Sequence, residues 1–325
     1  MAFPPPPAKE IVDALVGLEL RGRFKYRIEA VLGQGGTSTV YRGELLAQAK
    51  PVAIKILHAE SAAIPEMARR FEREVTTAKR IEHPNVVSVS DSGTIDDGSL
   101  FLVMELLIGT SLSHLMHDKG RIEIPRALAI TRQVLSALEA AHSHGIVHRD
   151  VKPSNVYLVD HDGVETVKLF DFGIALNDKA AIKLTAAGTA FGTPEYISPE
   201  MAMGLKVDGR ADLYSLGVVL YEMVTGRLPF IQHDNPMGLL KSHINDAPPR
   251  PSEVAPEANI GKTVEALILR AIAKRPEDRP ATAAAMRKAI TALQAPATRQ
   301  RSTAWVLYLT IFLALAALAL FLWLR

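Results

Sequence analysis

The stretch "HRDVKPSN", His148 to Asn155, sets an aspartate, a lysine two residues on and an amide five residues on in one polar loop. Those residue types suit transfer of a phosphoryl group to a hydroxyl. Asp150 can orient the hydroxyl and accept its proton, Lys152 can neutralise charge on the moving group, and Asn155 can offer an amide oxygen to Mg²⁺. Further on, "DFG" supplies Asp171 as a second metal ligand. Upstream, "VAIK" supplies Lys55, which can reach phosphates, and "RRFEREV" offers Glu74 to hold that lysine. Each has a plain alternative when taken singly: an exposed strand lysine, a solvated helix face, a polar surface loop. Agreement of HRD, K, N and DFG at these spacings sets the surface-loop alternative aside.

A phosphate-bearing substrate needs a cradle, and "LGQGGTSTVY", Leu32 to Tyr41, is the candidate. Gly33, Gly35 and Gly36 permit close backbone approach, whereas Ser38 stands where the usual pattern has another glycine. A dinucleotide-binding loop would lead into a helix, but "TVYRGELL" alternates like a strand, so that reading fails. A strand–loop–strand lid over ATP phosphates survives. By itself the loop admits a plain hairpin turn equally well.

The elements that must hold these residues follow from pattern. Residues 24–57 read as strands, 65–81 as a helix beginning at Pro65, and "NVVSVSDSG" and "SLFLVMEL" as two more strands. After Gly109 helices take over, with a long one predicted at 124–144. The Asp-Gly turn in "HDGV" predicts a hairpin between "VYLVD" and "ETVKLF". Residues 209–225 are apolar nearly all round and predict a buried central helix, with Asp208 capping its start and Gly226 its end. Helices near 262–273 and 281–293 complete the body.

At this point the chain resembles the protein kinase family over residues 24–293, most closely the bacterial Ser/Thr kinases of eukaryotic (Hanks) type. The resemblance implies an α+β, bilobal fold: a small antiparallel sheet with one main helix over residues 24–108 and a larger helical lobe over 109–293. It implies Asp150 and Lys152 as catalytic residues and Asn155 and Asp171 as ligands of Mg²⁺, with Mn²⁺ as an alternative. ATP would lie against the loop Leu32, Gly33, Gln34, Gly35, Gly36, Thr37, Ser38, Thr39 and Val40. Its remaining contacts would be Ala53, Lys55, Glu74, Met104, Glu105, Leu107 and Tyr157. Tyr157 departs from the aliphatic floor common in the family, and an aromatic floor should still stack on adenine. "GTPEYISPE" resembles the end of an activation segment, with Ser198 where the family usually has alanine. Glu200 would pair with Arg279, Asp212 would anchor the catalytic loop, and Thr193 would contact Asp150 and Lys152. Arg149 would hold a phosphothreonine, for which Thr185 and Thr189 are the candidates. The implied activity is transfer from ATP to Ser or Thr of a protein, with a transient homodimer serving autophosphorylation in trans. A partner-binding pseudokinase and a small-molecule phosphotransferase are the rival classes. The complete residue set argues against the first, and the full activation segment against the second.

Composition sets the outer limits. The 325 residues are 48% hydrophobic with formal net charge +2, enough for a sizeable core and too little charge to imply nucleic acid. The absence of cysteine removes disulfides and thiolate chemistry. "MAFPPPPAKE" opens a Pro-rich leader over 1–23 with no secretory pattern. Ala304 to Leu324 carries no charge and has Trp305, Tyr308 and Trp323 near its ends. At about 1.5 Å per residue it would span about 31 Å, against a hydrocarbon core of about 30 Å. It predicts a single transmembrane helix after a linker over 294–303. Arg299 and Arg301 on its near side place the body in the cytoplasm, and the resemblance to bacterial kinases implies the inner membrane as the bilayer it would enter.

Overall fold

The computed structural model describes residues 13–172, 194–230 and 236–294, all but Gln294 within a unit that ends at Leu293. Runs rich in β-branched and aromatic residues build its first part. These are β2 (Lys25–Gln34), β3 (Ser38–Leu45) and β4 (Lys50–Leu57). With β1 (Glu19–Arg21), β5 (Val89–Thr94) and β6 (Leu100–Glu105) they form one sheet in the order β1-β2-β3-β4-β6-β5, antiparallel at every pairing. One face buries Tyr26, Ile28, Tyr41, Ile54, Ile56, Phe101 and Val103. The other receives the helix Pro65–Ala78, which starts on a proline and buries Phe71 and Val75, one turn apart, against Leu57 and Leu102.

The sheet begins earlier than the boundary expected at residue 24. Leu20 is buried, the Asp13 carboxylate accepts from the Tyr41 hydroxyl at 3.0 Å, and Gly22 lies against Asp91. Asp91, itself buried, accepts from the Phe24 N–H and the Tyr26 hydroxyl. Part of the expected leader is therefore structural.

The second lobe is built on the helix Arg210–Thr225, buried along its length apart from its first residue and the half-buried Glu222. Such a helix can exist only if others cover every side of it. The long helix Ile124–Ser143 and the helix Lys262–Ala271 do so within one large core. Close approach of the latter depends on Gly217, where a Cβ would lie 2.8 Å from Ala271 Cβ. The central helix ends as predicted on Gly226, at φ +70°, while its start differs slightly. Gly209 is the capping residue there, although Asp208 Oδ1 still accepts from the Arg210 N–H at 2.9 Å. A small sheet of β7 (Gly109–Ser111), β8 (Val156–His161) and β9 (Val164–Leu169) faces the first lobe. The β8–β9 turn is the predicted Asp-Gly pair, with φ of +54° and +82° at Asp162 and Gly163. The expected linker and transmembrane helix lie outside the described residues, except that Gln294 closes the helix Ala283–Gln294. Among the described residues no helix is long and apolar enough to cross a membrane.

The helix Pro236–Asn245 sets an imidazole deep in this lobe. His243 is fully buried, with Nδ1 2.9 Å from the Tyr214 hydroxyl, its ring edge-on to Phe230, and its carbonyl accepting from Lys274 Nζ. Burial, and after it the Lys274 charge, pushes the His243 pKa down from 6.5 to about 4. Between those values the unfolded chain binds the extra proton, so this contribution to stability is present above pH 6.5 and lost as pH falls through 4. From this ring alone, stability should fall on acidification with a slope approaching about 1.4 kcal/mol per pH unit. His243→Phe should remove that part of the slope in urea midpoints measured from pH 7 to 4.5, and an unchanged slope would contradict the assignment.

Candidate active site

The polar loop after the helix Ile124–Ser143 is held from below by one carboxylate. Asp212, fully buried in the central helix, accepts from the His148 N–H at 2.9 Å and the Arg149 N–H at 2.7 Å. The His142 ring lies 2.7 Å from the same carboxylate. These bonds hold Arg149 at φ +65°, a conformation that costs a non-glycine residue about 1–3 kcal/mol. His148 Nδ1 accepts from the Asp150 N–H, so Nε2 is the protonated nitrogen and faces the Phe170 carbonyl at 3.1 Å. Burial lowers the His148 pKa and keeps the ring neutral in that tautomer.

Asp150 stands above this support. Its Oδ2 is 2.8 Å from Lys152 Nζ and 3.0 Å from Asn155 Nδ2. Asn155 Nδ2 also donates to the Asp150 carbonyl at 2.8 Å, which directs the amide nitrogen inward and leaves the amide oxygen for a cation. Asp171 approaches from the end of β9 at φ +56°, with Phe172 buried behind it. Its Oδ1 is 2.7 Å from Lys55 Nζ, and the same ammonium is 2.8 Å from Glu74 Oε1. Burial works against the Lys55 charge, but the Asp171 and Glu74 carboxylates outweigh it and hold the ammonium above its ordinary value. Lys55 in turn overcomes burial at Asp171 and holds that carboxyl ionised, below its usual range. Three groups, the outer two 116 residues apart in sequence, thus meet at one point.

Beside them opens a cleft walled mainly by apolar side chains with a few polar groups among them. Leu32, Val40, Ala53, Lys55, Met104, Glu105, Leu107 and Tyr157, all expected from sequence, line it. Val87, Leu106 and Phe170 line it too and were not expected. Gly33 and Gln34 pair with Val40 and Thr39 across the hairpin, and the Gly35 N–H donates to the Ser38 carbonyl. A Cβ at Gly36 would meet open space. Thr39 is a correction: it is buried on the opposite face of β3, with its hydroxyl 2.9 Å from His58 Nε2, and does not reach the cleft. Glu74 lies behind the cleft and acts on it through Lys55.

A family model described as the protein kinase domain matches residues 26–290. The chain belongs to the protein kinase family. It is 41% identical over 283 residues to the serine/threonine-protein kinase Pkn3 of Myxococcus xanthus, covering 86% of this chain and 52% of that protein. It is 40% identical over 268 residues to PknB of Mycolicibacterium smegmatis, covering 81% of this chain and 42% of that protein. The chain therefore spans about half the length of these relatives, or less. Among solved structures, the Mycobacterium tuberculosis PknI kinase domain superposes with TM-score 0.66 at 29% identity, covering 86% of this chain and 99% of that one.

In this kinase fold the pairing of Glu200 with Arg279 is realised in full. Arg279 Nη1 and Nη2 meet the two Glu200 oxygens at 2.7 and 2.8 Å. The remaining guanidinium donors go to the carbonyls of Ala273, Arg210 and Lys274, and Arg279 is 1% exposed. Thr185, Thr189 and Thr193 lie outside the described residues. Removing one partner of a buried pair leaves a charge uncompensated, which costs about 3–5 kcal/mol. Arg279→Met should lose that much in urea unfolding. Arg279→Lys should not fully restore it, because an ammonium cannot reproduce the planar fork; a loss under about 1 kcal/mol in the Met variant would contradict this.

Proposed function

We propose that the chain is an ATP- and Mg²⁺-dependent serine/threonine protein kinase. The observation that carries the reading is the convergence of Lys55, Glu74 and Asp171 beside the cleft, with Asp150, Lys152 and Asn155 held on one rigid loop. A pseudokinase has no need of a complete and fully paired set. Lys55 binds and orients the phosphates, with Glu74 fixing its position. Asp150 orients the acceptor hydroxyl and takes its proton, and Lys152 sets positive charge where the transferring group becomes more negative. The Asn155 amide oxygen and the ionised Asp171 carboxylate are hard oxygen donors that fit Mg²⁺, with Mn²⁺ as an alternative; bound there, the ion neutralises phosphate charge. The names of the relatives support Ser and Thr of proteins as acceptors.

Two finer statements belong to the same proposal. The uncharged stretch 304–324 supports a single-pass anchor in a bacterial inner membrane, with the kinase domain cytoplasmic and in contact with the bilayer only through that helix. Crowding in the membrane plane raises effective concentration and favours a transient homodimer. In it, Thr185 or Thr189 of one copy would accept phosphate from another, and Arg149 would hold the product.

Asp150→Asn keeps the shape of the loop and removes the base. Transfer to protein acceptors should fall about 10²–10⁴-fold while ATP affinity stays within about threefold, read by radiolabel transfer and nucleotide titration. Activity within tenfold of wild type would overturn the assignment. When inactive Asp150→Asn chains share vesicles with wild type and ATP, phosphopeptide mapping should find Thr185 or Thr189 of the inactive chain modified. The yield should fall when the chains end at Gln294, and unmodified threonines or an equal yield would count against the proposal.

A further inference from the structure

The segment joining the two lobes is fastened at both ends by side chains that the reaction itself does not use. At its start, Glu105 exchanges bonds with Ser88: its N–H donates to the Ser88 carbonyl, and its Oε1 accepts from the Ser88 N–H at 2.8 Å. Lys168 Nζ reaches the same oxygen at 2.8 Å. Glu105 closes β6 of the first lobe and Lys168 sits on β9 of the second, so this ion pair crosses between lobes. Its side chains are only 16% and 29% exposed, which shields it from the screening that weakens open surface pairs.

At the other end, the Tyr157 hydroxyl donates to the Gly109 carbonyl at 2.9 Å. Gly109 packs so closely on β8 that a Cβ would lie 2.0 Å from the Leu158 carbonyl oxygen. Tyr157 and Lys168 are direct partners across the β8–β9 hairpin and therefore project from one face of it. Two adjacent side chains of one rigid hairpin thus hold residues 105 and 109. Between those points run Leu106 and Leu107, both lining the cleft, and Ile108, which is 80% exposed. The tethered span has no apolar core of its own beyond the cleft wall.

We infer that Lys168 and Tyr157 are positioning residues that pre-set the joining segment for the base of the nucleotide. Resting on the proposed reading of the cleft as an ATP site, the inference assigns a second task to the Tyr157 side chain. Its ring forms the floor, and its hydroxyl fixes the wall beside that floor. Backbone N–H and C=O groups of the segment are the polar edge such a cleft offers to a flat heterocycle, and a wall already in place loses less freedom on binding. A purely structural pair would lower melting temperature without separating nucleotide affinity from turnover.

The test uses the full chain and displacement of a fluorescent nucleotide by Mg·ATP. Tyr157→Phe keeps the ring and removes only the hydroxyl; Lys168→Met keeps most of the stem and removes the charge. Each should weaken ATP about fivefold or more and raise its KM in step, with kcat at saturating ATP within twofold of wild type. Lys168→Arg, which can still reach Glu105, should return affinity to within twofold. The double variant should lose less than the product of the single losses, because releasing one end already frees the span. The inference is overturned if both single variants bind ATP within twofold of wild type, if Lys168→Arg is as weak as Lys168→Met, or if kcat falls while affinity holds. A wild-type chain that binds no nucleotide would overturn the kinase reading instead.

Discussion

Asp212 is a carboxylate taken wholly out of water, and such a group is tolerated only where fixed donors replace its hydration. Two successive backbone N–H groups and one imidazole do so here. Because the two N–H groups belong to the catalytic loop, the position of that loop relative to the central helix is decided by the need to satisfy one charge. The helix in turn is placed by the packing of apolar side chains on all its faces. Hydrophobic burial fixes the helix, the helix fixes Asp212, and Asp212 fixes the backbone from which Asp150 projects. Arg149 at positive φ is the strained link in that chain of dependence.

The first lobe works by a different principle. Lys55 sits on a strand and Glu74 on the single helix packed against it, and neither position is buried enough to be set by the core alone. Their charges set them, together with Asp171 from the second lobe. One ammonium between two carboxylates is satisfied only when strand, helix and β9 have come together. The ammonium therefore reports on the relative placement of three elements.

Much of this is legible in the sequence, because phosphoryl transfer dictates residue types. HRD, the following lysine and asparagine, DFG and the strand lysine are brought together beside one cleft. What misled was parity. In β3 the side chains alternate, so Val40 reaches the cleft while Thr39 turns to His58, and naming every residue of the loop overlooked a period of two. The helix Leu112–Lys119 carries readable signals, with Ser111 accepting from the His114 N–H and Gly120 at φ +70° just past its end. The strand at residue 19 was hidden because three residues are too few to show a period. His243 had no signal at all, since nothing in a sequence distinguishes a histidine that will be buried beside a tyrosine from one left in water. Lys168 was passed over for a related reason: its partner Glu105 is 63 residues away and belongs to the other lobe.

The short strand β1 has a consequence for how molecules of this chain behave toward one another. Strand β2 is ten residues long and would otherwise present a row of unpaired N–H and C=O groups at the margin of the sheet. Such an open margin invites a strand from a neighbouring molecule and, through it, aggregation. The pairing Glu19–Arg27, Leu20–Tyr26 and Arg21–Lys25, extended by Gly17 and Leu18 bonding to Ile28, occupies the first half of that row. The charges along it, Glu19, Arg21, Lys25 and Arg27, keep what remains wet. The residues just before the lid hairpin thereby act as a guard against unwanted self-association, a demand on solubility that the chemistry of the cleft does not impose.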